Sequence, residues 1–180
     1  AGLSAYAVGA GIAGLTALGA GFAGLIFRTL GWIALVPAVL AGLKGWHTPR
    51  WRNLFEKGAW PFSLTLAFGL WVALLGCLAP EGAFDSLGHH MLHPAMYISA
   101  HKVHGIPWHF LSNNPALMEM QYLGAMLLTG SIQSAKLAHF AWGLLVAAVI
   151  YSWAREFLEA KWALAATTGA PGKEAPLGAP

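Results

Sequence analysis

The chain of 180 residues is 57% hydrophobic and 9% charged, where a soluble domain carries roughly 25% charged residues. Its mean hydropathy is +0.59, and a formal charge of only +3 gives no reason to expect a nucleic-acid partner. Cys77 is the only cysteine, so an internal disulfide is excluded.

No charged side chain occurs before Arg28, and an uncharged run of that length exceeds the roughly 20 residues that cross a bilayer as a helix. The run has no basic leading segment and is too long for the apolar stretch of a secretory signal. It contains "VGAGIAGLTAL", with G-x-G-x-x-G at Gly9, Gly11 and Gly14. A dinucleotide site would need a βαβ unit and an acid about 20 residues further on. The first acid is Glu56, and no second strand follows. The small residues therefore read as a helix-packing face. Gly9, Ala13, Ala17 and Gly21 stand at i, i+4, with Ala10, Gly14 and Gly24 beside them.

The first span is expected over 3–27. A second apolar stretch, 30–43, is short, is broken by Pro37 and lies between Arg28 and Lys44. It reads as a short span, a re-entrant piece or an interfacial helix. The loop from Lys44 to Lys57 carries Lys44, Arg50, Arg52 and Lys57 against Glu56, which places it on the cytoplasmic, matrix or stromal side. A further span covers 60–79 and is stopped by Pro80. The segment from Glu81 to Glu119 is acidic and His-rich and is expected on the opposite side. The region 120–154 is interrupted by Lys136 and reads as one kinked helix with an interfacial first half, or as two helices.

After it, "REFLEAKWAL" has the pattern of an amphipathic helix, with Arg155 and Glu159 able to pair at i, i+4. The end, 167–180, is rich in Pro, Gly and Ala and reads as an extended tail. Of the nine tryptophans, Trp46, Trp51, Trp60, Trp108 and Trp153 fall at expected span edges, where an indole suits the membrane interface. The fold class expected is an all-α integral membrane protein, a single multi-span domain over 1–166 with three to five transmembrane helices and a His-rich interfacial segment.

Chemistry concentrates in "GHHMLHPAMYISAHKVHGIPWHF", which holds His89, His90, His93, His101, His104 and His109, six of the chain's eight histidines. Neutral imidazole ligates zinc, copper, iron and the magnesium of chlorophyll. On helices, Asp85 and His89, His89 and His93, His90 and His93, and His101 and His104 would each share a face. Pro94, Gly105 and Pro107 cut the segment into short pieces. His89, His90 and His93 are candidate metal ligands. His93, His101, His104 and His139 are candidate single ligands of a cofactor, as is Glu119, for which capping a helix N-terminus is the plainer role. His139 lies inside the last apolar run, between small Ala135 and Gly143, and an ionisable residue in a span marks a functional position.

Two family patterns bear on this segment. Membrane di-iron oxygenases use HxxxH and HxxHH boxes; His89-His90-x-x-His93 resembles one box reversed, and the other boxes are missing. "HPAMY" at His93–Tyr97 looks like the His-Pro-x-Tyr element of isoprenylcysteine-type methyltransferases, with one residue too many before Tyr97 and with Leu92 in the place of an arginine. Neither is adopted. The chain also lacks the paired broken helices of a transporter and any nucleophile motif.

The functional expectation is therefore a non-catalytic accessory subunit of a large bioenergetic membrane complex, a photosynthetic one in a thylakoid first. Its partners would be other membrane subunits and lipid, its cofactor chlorophyll, with carotenoid or lipid in the grooves. The alternative is a haem- or metal-binding membrane enzyme, or an electron-transfer subunit of a respiratory complex in the mitochondrial inner membrane.

Overall fold

A computed structural model describes residues 2–33, 58–113 and 117–169, and every regular element in them is helical. Helix α1 spans Gly2–Phe22, α2 Trp60–Leu78, α3 Leu92–Ala100, α4 Leu117–Thr129, α5 Ile132–Ala154 and α6 Ala160–Thr167. Residues 28–33 are helical as well. A π-turn at Ser86–His90 precedes α3, and a short 3₁₀ turn at Phe110–Asn113 precedes α4. The expected basic loop, most of the stretch 30–43 and nearly all of the 167–180 tail lie outside the described residues.

Among the described residues, α2 and α5 are long and apolar enough to cross a membrane. Helix α2 buries no residue at all, and α5 buries only Ala135. The region 120–154, read as one kinked helix or two helices, is divided into α4 and α5, and the break falls before Lys136. Gly130 has φ +77, a conformation costly for any residue with a Cβ, and it separates α4 from α5. Lys136 then sits within the second turn of α5, donating to the Ala79 carbonyl at 2.7 Å and pairing with Glu81 at 3.4 Å.

The described residues form two compact units. The first takes in α1 and the chain from Cys77 to Phe140; the second takes residues 58–76 and 141–169. In the first, α4 packs against both α1 and α3, around a core of Ile26, Tyr97, Val103, Ile106, Met120 and Leu123. The glycines of α1 contribute at two points. A Cβ on Gly14 would lie 2.6 Å from the Leu117 side chain and 2.8 Å from that of Gln121. One on Gly21 would collide with the Val103 side chain. That approach lets the Val103 N–H reach the Gly21 carbonyl at 2.9 Å. Gly9, Gly11 and Gly19 have nothing within 4 Å. The packing face is thus Gly14, Ala17, Leu18 and Gly21, rotated from the expected Gly9–Ala13–Ala17–Gly21 stripe.

In the second unit, Ala59, Ala160, Ala163, Leu164 and Ala165 are buried. The expected amphipathic helix is interrupted by a turn at 155–157 before α6 begins. Arg155 donates to the Leu158 carbonyl at 2.7 Å, and Glu159 pairs with Lys161 at 3.1 Å, in place of the expected Arg155–Glu159 pair.

Candidate functional site: a histidine cluster under α4

Four histidines and one glutamate converge within the first unit. The π-turn is the local cause. Met91 N–H donates to the Ser86 carbonyl at 2.8 Å, an i, i+5 bond that widens the turn. With that register Asp85 faces His90, 3.5 Å away, where an α-helical spacing would have paired it with His89. His89 is free to turn inward and is 8% exposed. Its ring centroid lies 4.5 Å from that of His90 and 4.7 Å from that of His93, one turn along.

Helix α3 carries His93 inward. Pro94 sits in its first turn, where a missing N–H costs nothing, so it does not break the helix as the sequence reading supposed. Past α3 the chain returns through a turn in which the His109 N–H donates to the Ile106 carbonyl at 3.0 Å, with Pro107 at the second position that favours it. Buried Ile106 anchors this turn. His109 Nδ1 then lies 3.1 Å from His93 Nε2, with the two rings perpendicular at a centroid distance of 4.8 Å.

From the other side, Glu119 enters from the first turn of α4. It is 5% exposed, and its Oε1 accepts from His90 Nδ1–H at 2.7 Å and lies 3.8 Å from His89 Nε2. A bond of this charge-assisted kind contributes about 1.5–3 kcal/mol. Glu119 is thus turned into the cluster. One polar atom is left over: His89 Nδ1 is buried and has no hydrogen-bond partner.

Two overlapping triads have the spacing of metal ligands, His89–His93–His109 and His89–His90–Glu119, each with its ligating atoms within 4.8 Å of one another. Burial holds the His93 imidazole below the usual histidine pKa, and neighbouring His89 and His109 push the same way while Glu119 opposes them. His93 is therefore held neutral, the form that ligates.

The other candidates lie apart from the triads. His101 closes α3 in a left-handed conformation, φ 54. Its Nδ1 bonds to the Ile26 carbonyl at 2.8 Å and its ring stacks on Phe27. It is a structural latch between α3 and the end of α1. His104 bonds to the Gly105 carbonyl at 2.9 Å and sets its ring edge-on to Tyr97. His139 Nδ1 lies 2.6 Å from the Tyr122 hydroxyl. Ala135, expected to leave room beside it, is instead buried among Met91, Tyr122 and Met126. The sequence reading named His89, His90, His93 and Glu119 but did not place His109 among the ligands. Its separation from His93 follows no helical period; the Ile-Pro-Trp-His turn was the available signal.

No family profile, curated protein or solved structure matches this chain.

Proposed function

We propose that this chain is a non-catalytic accessory subunit of a large energy-transducing membrane complex. The observation that carries the reading is α2, nineteen residues long, without a charged side chain and without one buried residue. Phe68 and Trp71 near its middle are 64% and 57% exposed. A soluble chain would cover such a helix with its own core; this one leaves it to lipid or to neighbouring helices. The open glycines Gly9, Gly11 and Gly19 of α1 offer a second close-packing surface to a partner. The cluster chemistry adds no nucleophile, so the proposed role is positional.

Within that reading the photosynthetic assembly remains the first choice, with His139 as a pigment ligand. Its hydrogen bond to Tyr122 orients the ring, and with Nδ1–H donating to the phenol oxygen, Nε2 keeps the lone pair a chlorophyll magnesium would take. A metal-binding membrane enzyme is the second reading, and the buried histidine cluster favours it.

The test is extraction from the native membrane in mild detergent, size separation and an absorption spectrum of the peak. Co-migration with a particle many times the chain's mass supports the subunit reading. Red chlorophyll bands that vanish in His139→Phe support the pigment role. A small particle that turns over a substrate overturns both.

A further inference from the structure

The proposal above makes no use of the unpartnered nitrogen of His89, which points to a separate property of the first unit. We propose that His89, His93 and His109 bind one first-row transition ion of the imidazole-preferring class, zinc, copper or iron, with Glu119 and His90 as its outer support.

The assignment of atoms follows from charge and burial. His89 Nε2 lies 3.8 Å from the Glu119 carboxylate, beyond hydrogen-bond reach but close enough for its charge to favour the proton on that nitrogen. The lone pair then falls on Nδ1, the buried atom that has no protein partner. Leaving such an atom unsatisfied carries the full desolvation penalty, and coordination removes it. His93 Nε2 and His109 Nδ1, at 3.1 Å, are separated by nearly the edge of a tetrahedron whose metal–nitrogen bonds are about 2.0–2.1 Å long. Two imidazole nitrogens that close either share one proton or share an ion.

The third element is outer-shell support. A ligating imidazole characteristically gives its other N–H to a carboxylate. Glu119 stands beside that N–H of His89, at 3.8 Å, and is itself fixed by His90 Nδ1–H at 2.7 Å. The set is three imidazoles with a fourth position left to solvent or an exogenous ligand, and it contains no thiolate. That donor set suits an intermediate ion and excludes magnesium or calcium, which select oxygen. The ion would also tie the turn at Ile106–His109 to the π-turn and α3.

The experiment uses the full chain in detergent, stripped with a chelator and titrated with Co²⁺ at fixed pH, followed by X-ray absorption on the Zn²⁺-loaded wild type. The expected result is one equivalent bound, a visible band of four-coordinate cobalt, and a shell with three imidazoles. His93→Ala and His109→Ala should each weaken binding by at least about a hundredfold. Glu119→Gln should weaken it by about 10–100-fold without abolishing it. His101→Ala and His104→Ala should bind as wild type does. Failure of the wild type to bind, fewer than three imidazoles in the zinc shell, or a loss in His104→Ala equal to that in His109→Ala would each overturn the proposal. The absorption measurement stands on the wild type, so it decides the matter even where a variant does not fold. Metal binding by a small free particle would support this site while refuting the accessory-subunit reading.

Discussion

Helix α2 and the pair α3–α4 are similar in being helical and rich in apolar residues, yet they are organised in opposite senses. Helix α2 buries nothing and presents Phe68, Trp71 and Leu75 to its surroundings. In α3 and α4 the buried set includes His93, Glu119 and Tyr122, with half-exposed apolar neighbours around them. Polar groups are tolerated inside only when they have partners, and each of these has one. The difference teaches where this chain does its specific work. Helices α2 and α5 leave most of their apolar side chains uncovered and are tied to the chain near Lys136 and His139, and the polar network holds the first unit to one arrangement.

The largest expected effect would come from breaking the first half of that comparison. Phe68→Arg puts a charge at the centre of α2. If lipid surrounds the helix, insertion should worsen by about 2.5–3.5 kcal/mol, read as a shift of the protein into the alkaline-extractable fraction. In water the same exposed substitution should stay within about 0.5 kcal/mol, and unchanged membrane retention would remove the support α2 gives.

Next comes the polar half. Glu119→Leu removes the acceptor of His90 and the carboxylate facing His89. Thermal unfolding in detergent should report a loss of about 1–3 kcal/mol. Glu119→Gln, which keeps an acceptor, should lose less. Equal melting of the two variants would mean that the carboxylate is not what orders the cluster.

A smaller effect separates the two faces of α1. Gly14→Ala forces the Leu117 and Gln121 side chains to move and should cost about 1 kcal/mol or more. Gly11→Ala meets open space and should gain about 0.5–1 kcal/mol from reduced chain entropy. Opposite signs in the same unfolding assay confirm which face packs internally; equal signs would refute the register described for α1 and α4.

The smallest effect is a pH dependence. The Ala83 N–H bonded to Glu81 at 2.9 Å, with Lys136 and Gly82 assisting, holds the Glu81 carboxyl below its ordinary 4.5 against the opposing effect of burial. A carboxyl with a lowered folded-state pKa adds stability above its unfolded value, and that stability is lost as pH falls through the folded value. The loss therefore sets in below about pH 4.5. Melting temperatures of Glu81→Gln should be flatter than wild type across that acid window and the two should converge at its lower end. Parallel curves would show that Glu81 has no part in acid sensitivity.

Much of this organisation was legible in the residues. A charge-free run and Pro80 after "LLGCLA" mark helix bounds through backbone chemistry that acts locally; the break at Gly130 was not legible there, because Lys136 drew the interruption six residues too late. Glu119 was visible as a carboxylate in a first turn, although its partner was not. The histidine partners depended on two events that no helical period encodes. A π-turn moved Asp85 from His89 to His90, and the Ile106–His109 turn delivered His109 to His93. His101 and His104 have the same spacing on paper as His90 and His93, but a left-handed residue at His101 divides them.

The residues alone show that the chain is helical, where most of its apolar helices lie and that its imidazoles are crowded into one segment. Period, charge and proline act over a few residues, which is why they can be read there. Packing in three dimensions sets which glycines of α1 touch α4, which histidines meet Glu119 and which nitrogen of the cluster is left without a partner. Those outcomes depend on chain returns that place residues far apart in sequence within 4 Å of each other, and such returns are set by packing rather than by spacing.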